Sequence, residues 1–180
     1  RSLCTYGFPL KKLKSNLNLD LSYQYARTPG MVNDVLNAAN VHSFGTGVTL
    51  SSNISDKVDF TLSLRPVWQQ TRNTQPNFGD VAFLNAVSRA KLNWIIAEGF
   101  VLRTDVRHSL FSGFSDGFNQ HIWLWNLGIG KKLFKNERGE ITLAVNDLLR
   151  QNRSIARTVT EVYTEDTQTN ALTRFFMLSF

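Results

Sequence analysis

Apolar and polar side chains alternate along most of this chain. Leu17, Leu19, Leu21, Tyr23 and Tyr25 are separated one by one by Asn18, Asp20, Ser22 and Gln24. A period of two places one set on each side of an extended strand and is incompatible with a helical stripe. The rhythm returns at His42, Phe44, Thr46, Val48 and Leu50, whose opposite set includes Gly45 and Gly47, small residues that suit a crowded face. It continues through Val58, Phe60, Leu62, Leu64 and Trp68, then Ala86, Ala90, Leu92, Trp94 and Ile96, then Phe100, Leu102, Val106 and Leu110. Trp123, Trp125, Leu127 and Ile129 follow, then Ile141, Leu143 and Val145, and last Phe176, Leu178 and Phe180. With an opening strand around Leu3 to Phe8, the pattern predicts about nine strands and no helix. The expected fold is all-β, an antiparallel up-and-down meander.

The connections add a direction. Short ones are expected around Pro9 to Lys14, Ile54 to Lys57, Ala97 to Gly99 and Lys135 to Gly139. Long ones are expected from Thr28 to Asn40, Thr74 to Ala82, Ser112 to Gln120 and Asn152 to Ala171. In a meander, alternate connections lie at opposite ends, so this order puts tight turns on one rim and long loops on the other, as in outer-membrane barrels. Pro66 interrupts a good strand and needs either a bulge or a place where its missing N–H faces no partner.

Composition then excludes one alternative. The chain has 180 residues, 42% of them hydrophobic, and no apolar run near the roughly 18 to 20 residues of a spanning helix. A barrel strand dilutes its apolar side chains by half, so a mean hydropathy of −0.20 is compatible with a membrane wall. Asp20, Arg65, Arg89, Lys91, Arg103, Asp105 and Arg107 all fall on the polar phase. A basic side chain on the lipid face at midplane would cost roughly 2–4 kcal/mol, so these seven are expected to face a wet lumen, paired with one another or lining a solute path. Amphipathic rings gather where headgroups meet hydrocarbon. Tyr23, Tyr25, Trp68, Trp123 and Trp125 are expected near the loop rim, and Phe60, Trp94, Phe100, Phe134 and Phe180 near the turn rim. A soluble sandwich or lipocalin would also alternate, but with a charged outer face and less regular connections.

Other chemistry is sparse. The net charge of +6 comes from scattered Lys and Arg, with Lys11, Lys12, Lys14 and Lys131, Lys132, Lys135 as clusters, read as charged turns and not as a nucleic-acid surface. Cys4 is alone, so no internal disulfide can form. His42, His108 and His121 lie far apart on different strands and are not expected to hold a metal. Ser115-Asp116-Gly117 reads as a turn. Glu161, Glu165 and Asp166 read as a solvated loop. Neither a catalytic constellation nor a cofactor is expected, and the chain is not expected to be an enzyme. A start at Arg1-Ser2-Leu3 reads as a processed chain or an internal piece.

Gly130-Lys131-Lys132-Leu133-Phe134, Arg138-Gly139-Glu140-Ile141-Thr142-Leu143, Asn146-Asp147-Leu148-Leu149-Arg150-Gln151-Asn152-Arg153-Ser154-Ile155 and Thr173-Arg174-Phe175-Phe176-Met177-Leu178-Ser179-Phe180 resemble the C-terminal barrel strands of Bacteroidetes outer-membrane proteins. In particular they resemble the outer-membrane β-barrel family of TonB-dependent receptors. Tyr6-Gly7-Phe8-Pro9-Leu10, Ser51-Ser52-Asn53-Ile54-Ser55, Lys91-Leu92-Asn93-Trp94 and Ser112-Gly113-Phe114-Ser115-Asp116-Gly117-Phe118 fit the same family, so the resemblance spans the chain. It implies nutrient import across the bacterial outer membrane by a barrel of roughly 22 strands with a plug and a TonB-contacting segment. Neither plug nor TonB segment is visible in these residues, and nine is an odd number. Residues 1–180 are therefore expected to be the C-terminal part of a larger barrel. The resemblance also implies recognition by the barrel-assembly machinery, with Phe176, Leu178 and Phe180 as the signal. Expected partners are outer-membrane lipid, the rest of the barrel and its plug, TonB and a surface lipoprotein through other parts of the protein, and no nucleic acid. The alternative is a non-energised barrel acting as a porin, structural anchor or binding scaffold.

Overall fold

A computed structural model describes residues 1–32, 34–52, 54–134, 138–160 and 163–180. Lys135 and Glu161 lie outside the described residues. Nine strands form one antiparallel sheet: β1 (Ser2–Leu10), β2 (Ser15–Val32), β3 (Val35–Ser52), β4 (Val58–Asn73), β5 (Val81–Ile95), β6 (Phe100–Ser112), β7 (Gln120–Leu133), β8 (Gly139–Asn146) and β11 (Phe175–Ser179). Each pairs with its neighbour in sequence until β8, which pairs with β11. The chain between them contains a separate two-stranded hairpin, β9 (Arg153–Val159) and β10 (Thr164–Asn170). Among the described residues there is no α-helix, and no helix is long and apolar enough to cross a membrane.

Residues directly opposite in an antiparallel pair share a face. The register therefore carries one apolar face across the wall: Leu19 opposite Tyr6 and Val48, Val48 opposite Leu64, Leu62 opposite Ala90, Ala90 opposite Val106, and Val106 opposite Trp125. On the far side Val145 and Leu143 face Phe176 and Leu178. Most of these apolar side chains are exposed, including Leu19, Val48, Leu62 and Leu64. In water such a surface would be a large uncovered patch; in hydrocarbon it is solvated.

Two expectations about connections need correction. Thr28 to Asn40 is not a loop. β2 and β3 pair continuously from Ser15↔Ser52 to Val32↔Val35, so both run well past the roughly 9–11 residues needed to cross a bilayer. Alternation fades there because Pro29, Gly30, Ala38 and Ala39 blur the two faces. Asn37, fully buried, ties this extension to the next connection: its Oδ1 accepts from Thr74 Oγ1 and from the Gln75 N–H, each at 3.2 Å. The second correction concerns Asn152 to Ala171, which contains the β9–β10 hairpin instead of open loop.

Pro66 sits without a bulge. It pairs with Ala86, and the β3–β4 ladder has the same register on either side of it, at Gly45↔Val67 and Val48↔Leu64, with no pairing at Pro66 itself.

Candidate functional site

The polar face is one continuous surface. Asp20 (β2), Arg65 (β4), Arg89 and Lys91 (β5), and Arg103, Asp105 and Arg107 (β6) all lie on it by register. Lys91 stands opposite Asp105 and Arg89 opposite Arg107, but the hydrogen bonds run diagonally, and Arg89 engages both oxygens of Asp105 through Nε and Nη2. Arg103 reaches across β7 to form a fork with Glu140 on β8. That reach is helped by Gly128, opposite Arg103, and the next residue on this face of β7, Gly130, neither of which has a side chain to stand in the way. A Cβ on Gly130 would collide with the Glu140 carboxylate. Small residues make room elsewhere too: a Cβ on Gly47 would come within 2.9 Å of Asp20 Oδ2. A concavity of about 340 Å³ on this face exposes Lys91, Arg103 and Asp105.

The opposite face carries the rings. Tyr23, Phe44 and Trp68 form a row across β2, β3 and β4, with centroids 4.9 and 5.7 Å apart, and Tyr25 packs on His42 at 5.1 Å. Tyr23 Oη bonds His42 Nδ1 at 2.9 Å. Trp123 stacks on His108, while Trp125 lies further along β7 and donates from Nε1 to Thr104 Oγ1 at 2.8 Å. At the other end Trp94 faces Leu102, and Lys131 Nζ lies 4.0 Å from the Phe100 ring centroid. Phe134 and Phe180 both approach Gly139.

His108 and His121 are not far apart. β6 and β7 bring His108 Nε2 within 3.2 Å of His121 Nδ1, with rings stacked at 5.4 Å. They are diagonal neighbours on the apolar face, a proximity already implicit in their shared phase on consecutive strands. Among the described residues no group of three or more potential metal ligands is found.

Sequence reasoning missed the hairpin's anchorage. Asp147 ends β8 with a left-handed turn (φ 49°), and its buried carboxylate accepts the backbone N–H of Gln151 at 2.9 Å and of Asn152 at 3.0 Å. This turn sends the chain back over the polar face. There Phe111 of β6 and Ile122 of β7 form a buried cluster with Phe114 and with Ile155 of the hairpin, and Phe83 of β5 packs against it. Phe83, Phe111 and Ile122 lie on the polar phase, so their misplacement in the alternation was the available signal.

Above this cluster sits a buried ion pair. Arg157 Nε and Nη2 donate to the two oxygens of Asp166, each at 2.6 Å, and the side chains are only 3% and 2% exposed. Arg157 Nη1 donates to Gly113 O at 2.8 Å, and the guanidinium lies 4.4 Å from the Phe114 ring centroid. The Ser115 N–H donates to Asp166 Oδ2 at 2.8 Å. Gly113 is required where it is: its φ is +80°, and a Cβ would stand 2.5 Å from Ala82 O. Hydrogen bonding from Arg157 pulls the Asp166 carboxyl down to about 2, against the opposing effect of burial. Asp166 is therefore part of a buried lock and not of the solvated loop expected for it.

A single antiparallel meander with one apolar face that carries rows of aromatic rings, the Tyr23–Phe44–Trp68 row lying near the middle of β2 and β3 and not at the loop rim expected for it, and one charged face defines a wall of a transmembrane β-barrel. The chain belongs to the outer membrane protein beta-barrel family, whose model matches residues 11–180, and its place is the bacterial outer membrane. Searches of curated proteins and of solved structures found no match.

Proposed function

We propose that this chain forms part of the wall of a TonB-dependent receptor-like transporter, the apolar face toward lipid and the polar face toward a lumen through which a nutrient is imported. The observation that carries the reading is the hairpin folded over a charged face: a wet interior with a fitted obstruction is what a selective path requires, whereas an anchor needs neither. The resemblance of residues 130–180 and of the upstream motifs to TonB-dependent receptors of Bacteroidetes supports the energised form.

Two unpaired edges support a larger barrel. Among the described residues neither β1 nor β11 has a second partner, and an open sheet edge in hydrocarbon leaves its N–H and C=O groups unsatisfied. Further strands of the same protein would pair there, making residues 1–180 the C-terminal segment of the barrel. Phe176, Leu178 and Phe180, exposed at 69%, 72% and 83%, line the β11 edge on the apolar face, where the barrel-assembly machinery would meet them before closure. Outer-membrane lipid, a plug, TonB and a surface lipoprotein complete the proposed partners.

One observation favours a second reading as a passive pore: the hairpin by itself narrows the lumen, as a constriction would. The two readings separate in one experiment on the intact protein. Energised import predicts no swelling of reconstituted liposomes in small sugars and amino acids, and nutrient uptake by cells that collapses with an uncoupler. Rapid swelling with uncoupler-insensitive uptake would refute energised import.

A further inference from the structure

Beneath the base of the hairpin lies a cavity of about 200 Å³, closed on one side by β5, β6 and β7 and on the other by the start of β9. Its floor is apolar, with Phe111 and Ile155, and its walls carry Asn85, Ser109, Arg107 and Arg153. No acidic side chain lines it. Arg107 stands opposite Leu124, and its guanidinium donates no hydrogen bond among the described residues. Asp105, two residues along the same strand, lies within its electrostatic reach but has both oxygens engaged by Arg89. The Nε of Arg153 and the Oδ1 of Asn85 are both buried without a hydrogen-bond partner.

A buried guanidinium N–H with nothing to donate to is costly, and native proteins rarely leave one so. Elsewhere on this side of the sheet three arginines are forked onto carboxylates, Arg89 onto Asp105, Arg103 onto Glu140 and Arg157 onto Asp166, while Arg65 is exposed and makes no ion pair among the described residues. Arg107 and Arg153 in the cavity also have no carboxylate among the described residues, and the Nε of Arg153 is buried where the exposed Arg65 is not. Guanidinium groups match carboxylate and phosphate oxygens in planar, charge-assisted pairs. The apolar floor would take the rest of such a molecule. We propose that the cavity is a binding site for a small organic anion, held by Arg107 and Arg153 through its charged head and by Phe111 and Ile155 through a short apolar body. The inference rests on reading the polar face as the lumen, and it names the class of solute that pauses there.

Benzoate serves as the probe and benzamide, its neutral isostere, as the control, with binding measured by calorimetry on the intact detergent-solubilised protein. Benzoate should bind and benzamide should not. Arg107→Gln and Arg153→Gln should each raise the benzoate Kd about tenfold or more. Arg65→Gln, on the same face but outside the cavity, should leave it unchanged. Ser154→Trp fills the cavity from its exposed side and should abolish binding without touching either arginine. Heat-modifiable gel mobility identifies variants that fold. Equal binding of benzamide, a Kd unmoved in both Gln variants, or no benzoate binding to the intact protein would overturn the proposal. Binding in detergent is read independently of transport, so the liposome and uncoupler experiment can fail while this one succeeds, and the reverse.

Discussion

The wall and the hairpin are both antiparallel β-structure, but different forces hold them. The wall depends on its ladders: its apolar face is open to the bilayer, and its polar face is tied by exposed forks such as Arg103 to Glu140. The hairpin depends on side chains, with Ile155 in an aromatic cluster and the Arg157–Asp166 pair almost sealed from solvent. The wall tolerates exposed hydrophobes because its solvent is lipid, whereas the hairpin, in water, must build a small core of its own against β5, β6 and β7. Disturbing one should leave the other standing.

The sharpest break is at the lock. Arg157→Leu leaves the Asp166 carboxylate buried without its partner, a change that costs about 3–5 kcal/mol. Amide hydrogen exchange of residues 153–170 should then approach that of an open loop while amides of β3 to β6 keep their protection. Loss of protection across the wall would show that the two regions fold as one.

A break on the other side uses neighbouring positions. Leu19→Arg puts a charge on the apolar face, at a cost of about 2–4 kcal/mol if that face meets hydrocarbon, and should deplete folded barrel from the outer-membrane fraction. Asn18→Arg, one residue away on the polar face, should assemble normally. Equal outcomes would remove the distinction between the faces.

Acid sharpens the comparison further. Asp166 has a folded pKa of about 2 against an ordinary value of 3.8, so its protonation is disfavoured in the docked state. The stability this provides is complete above about pH 4 and is lost as pH falls through 2, amounting to about 2 kcal/mol. Hairpin protection, corrected for the intrinsic pH dependence of exchange, should fall in that window, and Asp166→Asn should show no such step.

The smallest effect is expected at Gly130→Ala. The added methyl displaces a flexible carboxylate end, so the Arg103–Glu140 fork should shift at a cost of about 1 kcal/mol or less, seen as a small drop in melting temperature with hairpin protection unchanged.

The same contrast explains what was legible in the sequence. The wall was: Leu17 to Tyr25 states its own phase, and register then carries all seven charged residues to one face. The strand tops were not, because Pro29, Gly30, Ala38 and Ala39 have too little side chain to mark a face. The hairpin was illegible because Thr158, Glu165, Thr167 and Gln168 are polar on both phases, and its order comes from contacts with distant strands. Its trace lay in the wall, where Phe83, Phe111 and Ile122 break the polar phase at the places the hairpin covers.

The molecule's design rests on one sheet separating two solvents. The direct measurement is a cysteine scan along β2 in a Cys4→Ser background, with a water-soluble, membrane-impermeant thiol reagent on the intact protein in liposomes. Labelling is expected at positions 18, 20, 22 and 24 and protection at 17, 19, 21 and 23. Labelling in the opposite phase, or uniform labelling along the strand, would contradict it.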